Sequence, residues 1–223
     1  MRPSYAAILF DVDGTLVDSR AATERTWRTW AQSYGLDPAH VLRICHGRRT
    51  EDTVAALLPP PERTRAMERL DAQEIRDLTD IVPMPGAQRL LGRLRDFPWA
   101  LVTSCTAPLL RARMSAAHIP LPDVVVTADD VRDGKPDPTG YLLAADALGV
   151  RAADCLVIED APAGIEAGLR AGATVLAITT THDASDLRAA HVIAPSLDWV
   201  TVAHGPDGVV VGLRQPFEPR RTR

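Results

Sequence analysis

Five short apolar runs punctuate the chain: AAILFD (6–11), WALVTS (99–104), DVVVT (123–127), CLVIED (155–160) and ATVLAIT (173–179). None alternates cleanly between apolar and polar positions, which is how strands buried on both faces read. The stretches between them have helical periodicity. GAQRLLGRLRDF places Leu90, Leu91, Leu94 and Phe97 on one stripe, and TGYLLAADALG places Tyr141, Ala145 and Leu148 on another. Gly149 and Gly172 stand where helices end in a left-handed residue. Strands alternating with helices predict an α/β fold, a parallel sheet covered on both faces.

Residues 18–83 break this pattern and show no convincing strand. AATERTWRTWAQSYG sets Trp27, Trp30, Ala31 and Tyr34 at helical spacing and stops at Gly35. TEDTVAALL and RAMERLDAQEI predict two more helices, separated by the prolines of LPPPE (58–62). The segment therefore reads as a helical insert after the first strand, with the core formed by 1–17 and 84–223. Hinges are expected near Asp18–Ser19 and Pro83–Gly86. Towards the end, VTVAHGPDGVVV predicts a hairpin around Pro206–Gly208, and RQPFEPRRTR a solvated tail.

Composition narrows the classes. Of 223 residues, 46% are hydrophobic and 24% charged, as in ordinary globular proteins. A net charge of −4 argues against a general nucleic-acid surface. No apolar run approaches the ~18 residues of a membrane-spanning helix, so no membrane association is expected. MRPSYAAILF runs directly into the Asp11 strand, leaving no room for a signal peptide. Cys45, Cys105 and Cys155 are odd in number and lack metal-ligand spacing. Together these features point to a cytoplasmic protein, expected as a monomer or weak homodimer.

Parallel sheets bind ligands at the carboxyl ends of their strands. Four polar clusters fall at such places: Asp11-Val12-Asp13-Gly14-Thr15, then Thr103 and Ser104, then Lys135 within DGKPDP, then Glu159 and Asp160 opening VIEDAPAGIEAG. In a strand, Asp11 and Asp13 would share a face, where like charges repel unless a cation or a proton lies between them. Carboxylates, hydroxyls and one lysine together make a site for a divalent cation and a phosphate. Magnesium takes hard oxygens, which Asp11 and Asp160 can supply. Lys135 would offset the phosphate charge, and Thr103 or Ser104 would hold phosphoryl oxygens. One carboxylate can then attack phosphorus while the other moves protons, provided their environments differ.

In order and content the four clusters resemble the motifs of the haloacid dehalogenase superfamily of phosphohydrolases. DVDGTLVDS and VIEDAPAGIEAG are the specific signals; VTS and GKP fall between them in the expected order. The resemblance implies a Rossmann-like three-layer core with a helical cap inserted after the first strand. It also implies Asp11 as nucleophile and Asp13 as general acid/base, with the Asp13 backbone carbonyl touching Mg2+. Thr103, Ser104 and Lys135 would bind phosphate, and Glu159 and Asp160 would hold the metal with Asp11. Within the superfamily the chain is most similar to bacterial sugar and polyol phosphatases, a group that includes 2-deoxyglucose-6-phosphate and glycerol phosphatases. Small phosphorylated sugars or polyols are thus the expected partners. In the cap stretch HGRRTEDT, His46, Gly47, Arg48 and Arg49 would face the leaving group.

Rival readings remain within and outside the superfamily. A phosphosugar mutase of the β-phosphoglucomutase type shares the core motifs but carries a histidine twelve residues after the nucleophile, where this chain has Thr23. Dehalogenases do not need the metal residues, and phosphonate cleavage needs a cap lysine that 18–83 lacks. A receiver module gathers similar groups on one small domain without a cap. A non-catalytic sugar-phosphate-binding regulator would not need every chemical position filled. Cys105 departs from the superfamily's usual glycine or serine after the Thr-Ser pair.

Overall fold

The first apolar run becomes a strand without one exposed residue. The computed structural model describes residues 3–45, 48–205 and 208–214. A two-residue strand, β1 (Ser4–Tyr5), precedes β2 (Ala7–Phe10), and β3 (Val17–Asp18) follows it. The chain then forms α1 (Arg20–Ser33), α2 (Pro38–Cys45), α3 (Thr50–Leu57) and α4 (Pro60–Arg76). It returns through β4 (Val82–Pro83), α5 (Ala87–Leu91), β5 (Trp99–Val102), α6 (Ala107–Ala116) and β6 (Val124–Val126). After these come α7 (Thr139–Ala147), β7 (Cys155–Glu159), α8 (Pro162–Arg170), β8 (Thr174–Ile178) and β9 (Val192–Ala194). A final pair, β10 (Val200–Gly205) and β11 (Gly208–Leu213), closes the described chain.

Six strands form a parallel sheet in the order β6-β5-β2-β7-β8-β9, as expected of an α/β fold. Alternate residues along each strand feed different layers. Ile8, Phe10, Leu101 and Ile158 join one apolar cluster; Leu9, Ala100, Val102 and Val157 join another. The period of two was hidden in the sequence because both faces are apolar. Register sets the site: Phe10 lies level with Leu101 on one side and Ile158 on the other. Asp11, Thr103 and Asp160 therefore leave the sheet at one edge. Asp11 N–H still bonds to the Ile158 carbonyl, at 3.0 Å.

Some expectations needed correction. The stripe through Phe97 is helical only to Leu91, after which Gly92, Arg93 and Leu94 continue as single turns that keep Leu94 buried. β9 was not anticipated. β10 and β11 pair as the expected hairpin and add β1 in a small antiparallel sheet, while Pro206, Asp207 and the tail from 215 lie outside the described residues.

The four helices between β3 and β4 have an apolar cluster of their own, built on Trp27, Trp30, Val41, Val54 and Leu70. Trp27 and Trp30 meet edge to face at 5.3 Å, and the Trp30 indole donates to the Ala66 carbonyl at 3.0 Å. The aromatics are core, as their spacing predicts. The prolines do more than separate helices: Pro59 caps α4 and Pro60 opens it, where a missing N–H costs nothing. Segment 18–83 was read as strandless, yet β3 and β4 pair antiparallel at its entry and exit. Two residues each are too few to leave a pattern. Among the described residues no helix is long and apolar enough to cross a membrane, and Cys45, Cys105 and Cys155 are free and buried.

Candidate active site

At the carboxyl edge of the sheet, Lys135 reaches between β2 and β7. Its ammonium donates to Asp11 Oδ1 and Glu159 Oε1, both at 2.6 Å, and to the Val102 carbonyl at 3.2 Å. All three of its donors are thus used. Glu159 is more completely engaged still. Oε1 also accepts from the Tyr141 hydroxyl at 2.8 Å, and Oε2 accepts from the backbone N–H of Asp160 and Ala161. Asp160 accepts from Thr15 Oγ1 at 3.5 Å and from the Thr181 hydroxyl. Gly14 lies so close that a Cβ there would sit 2.1 Å from Asp160 Oδ2, and its φ of +86° also demands glycine.

Charge at this edge is out of balance. Asp11, Glu159 and Asp160 each offer a carboxylate oxygen, all within 4.8 Å of one another, against one lysine. Burial, reinforced by Glu159, pushes Asp11 up to about 7 despite Lys135 beside it. Burial and the Asp11 charge raise Asp160 well above the usual carboxylate range. Burial alone would lower the lysine, but Asp11 and Glu159 hold it well above its ordinary value. A buried acidic trio with this deficit fits a hard divalent cation, which would supply the missing positive charge.

Asp13 behaves differently. Beyond Phe10 the chain leaves the strand and winds back, with Thr15, Leu16 and Val17 all donating to the Val12 carbonyl. The strand rule that would put Asp11 and Asp13 on one face therefore stops applying at Asp11. The Asp13 carboxylate turns to Ser19 Oγ at 2.6 Å, Arg113 at 2.8 Å and Cys105 Sγ at 3.0 Å. Two neighbouring aspartates thus have separate partners: lysine for one, arginine with hydroxyl and thiol for the other. Burial and the Asp13 charge push the Cys105 thiol up, so it stays protonated beside that carboxylate.

A single cavity gathers Asp11, Asp13, Thr103, Ser104, Lys135, Glu159 and Asp160. The Thr103 hydroxyl accepts from Cys105 N–H at 3.1 Å, and Ser104 stands beside it. From the helical segment Thr23, Trp27, Arg48 and Glu74 enter the same cavity. Arg49 does not: it is buried, forked onto Asp52 at 2.8 and 2.9 Å, and donates to the Val131 carbonyl at 3.1 Å. It braces α3 and the loop that carries Lys135. His46 and Gly47 lie outside the described residues. Sequence reasoning placed Thr15 in the first cluster without giving it a role, and missed Glu74, Arg113, Tyr141 and the Thr180–His182 turn. The last follows β8, and its place at a strand end was the one available signal.

The chain belongs to the haloacid dehalogenase-like hydrolases, whose family model matches residues 5–172. Hexitol phosphatase A of Escherichia coli (strain K12) is 42% identical over 208 residues, covering 91% of this chain and 96% of that protein. 2-Deoxyglucose-6-phosphate phosphatase 1 of Saccharomyces cerevisiae (strain ATCC 204508 / S288c) is 32% identical, covering 94% and 95%. Among solved structures, a hydrolase from Pseudomonas syringae superposes with a TM-score of 0.79 at 26% identity, over 86% of this chain and 94% of that one.

Proposed function

We propose that this chain is a magnesium-dependent phosphatase that hydrolyses small sugar or polyol phosphate monoesters through an aspartyl phosphate. The observation that carries the reading is the separation of the two aspartates, Asp11 on Lys135 beside Asp160 and Asp13 on Arg113, within one cavity. The relatives named for hexitol and 2-deoxyglucose 6-phosphate support the substrate class.

In this reading an Asp11 oxygen bonds to phosphorus as the ester P–O bond breaks, and the electron pair leaves with the ester oxygen. Asp13 gives that oxygen a proton, then takes one from the water that attacks the phosphorus and frees Asp11. Lys135 holds Asp11 in place and offsets phosphate charge, and Thr103 and Ser104 orient the phosphoryl oxygens. Asp11, Asp160 and the Asp13 backbone carbonyl would hold Mg2+, which when bound neutralises charge on the phosphate. Glu159, with four donors already on its two oxygens, serves mainly to fix Lys135 and would add its charge to the metal site. Residues 18–83 act as a cap hinged on the β3–β4 ribbon. Trp27 and Arg48 meet the leaving group, Thr23 and Glu74 are taken up by Arg113, and Arg49 braces instead of binding.

Phosphate release from glycerol, sorbitol, fructose, glucose and 2-deoxyglucose phosphates, with Mg2+ and then with EDTA, tests the proposal. Release that EDTA stops is expected. No release, with turnover of β-glucose 1-phosphate in the presence of its bisphosphate, would replace the reading with a mutase.

A further inference from the structure

Arg113 sits inside α6 with 6% of its side chain exposed, and none of the four motifs includes it. Its guanidinium forks. One nitrogen donates to Asp13 Oδ1 at 2.8 Å and to Cys105 Sγ at 3.1 Å. The other donates to Glu74 Oε1 and to Thr23 Oγ1, both at 2.9 Å. The first pair of partners belongs to the loops at the sheet edge. The second pair belongs to α4 and α1 of the helical segment, and Glu74 is itself buried. A planar guanidinium fixes the angle between its two sets of bonds, so it transmits the placement of one set to the other. A buried arginine is tolerated only when its donors are met, and here they are met only while α1 and α4 lie over the sheet.

We infer that Arg113 is a positioning residue: it holds the Asp13 carboxyl turned away from the Asp11–Asp160 pair, and Glu74 and Thr23 hold Arg113 there when the helical segment is seated. The proton-transfer group is thereby assembled by the same contact that closes the cavity. This rests on the phosphatase reading, in which Asp13 protonates the ester oxygen and later activates water.

Leaving-group chemistry separates positioning from general structure. An alkyl phosphate needs a proton on its departing oxygen, whereas 4-nitrophenolate departs without one. Arg113→Gln, assayed with Mg2+, is expected to lose ~100-fold in kcat on the best polyol phosphate, as for misplacing a general acid. KM should stay within about threefold. On 4-nitrophenyl phosphate the first turnover should remain fast and the later ones slow, giving a burst of one nitrophenolate per enzyme. Arg113→Lys, which keeps the charge and loses the fork, should not rescue. Glu74→Gln leaves Arg113 and Asp13 intact; it should show the same pattern at about tenfold, and it decides the matter if Arg113→Gln does not fold. Folded variants with wild-type kcat on both esters, or equal losses on both without a burst, would overturn the inference alone. A wild-type chain inactive on every ester would overturn the phosphatase reading and the inference with it.

Discussion

Lys135 is one positive charge shared by two buried carboxylates, and its removal acts on rate and on stability together. Lys135→Met is expected to lower kcat by ~100- to 1000-fold, as for a lost electrostatic clamp. It should also cost ~3 kcal/mol in a urea melt, because Asp11 and Glu159 stay buried without their counter-ion. A variant as stable as the wild type would contradict the charge deficit at this edge. Glu74 gives a signed pH effect. Burial, against the opposing pull of Arg113 and with Asp13 and Asp71 adding to it, raises Glu74 from 4.5 to about 7. The folded state then holds this proton more tightly than the unfolded chain, so the group's contribution to stability is lost as pH rises from about 4.5 to 7. The unfolding free energy of the wild type minus that of Glu74→Gln should fall by ~3 kcal/mol across that window; a rise would reverse the assignment. Asp11 and Asp160 were legible because they stand at strand ends in recognisable clusters, and Lys135 because of the GKP cluster around it, in the loop between β6 and α7. Arg113 and Glu74 were not, since each is an ordinary charged residue within a helix, and only tertiary packing buries them against each other.

Helix α8 approaches the strand before it so closely that one methyl group matters. A Cβ on Gly164 would lie 1.7 Å from Glu159 Oε1, so Gly164→Ala must displace the carboxylate that anchors Lys135. A loss of ~10- to 100-fold in kcat is expected, as for an ångström-scale misplacement of a catalytic group. Unchanged kinetics would show that Glu159 does not fix the lysine. Five of the six large-sheet strands were visible as apolar runs. β9 was not, because its three residues, Val192, Ile193 and Ala194, lie between His191 and Pro195 in a stretch of alanines and fall short of the β-branched run that marks β6. α2 was hidden for a related reason: PAHVLRIC offers only Val41 and Cys45 as fully buried positions.

Across the whole molecule, the helical segment keeps an apolar cluster of its own and meets the sheet through a two-strand ribbon, through Ala22 and Ile75 in the sheet's cluster, and through the Arg113 fork. Trp30→Ala empties the centre of the helical cluster and should cost ~3–5 kcal/mol there. Hydrogen exchange is expected to lose protection across 20–76 while β2, β5 and β7 keep theirs; equal loss in both would mean one cooperative unit. The alternation of strands and helices announced the sheet, and the break in it announced the insert. How the insert meets the sheet was not readable, because buried contacts between distant polar residues leave no periodicity.

The account turns on Asp11 carrying the phosphoryl group. Wild-type enzyme mixed with Mg2+ and a polyol phosphate, quenched in acid within the first turnover and analysed by peptide mass, should show one phosphoryl group on the peptide containing Asp11. The adduct should be absent from Asp11→Asn. Phosphate released from the wild type with no adduct on that peptide at any time would contradict it.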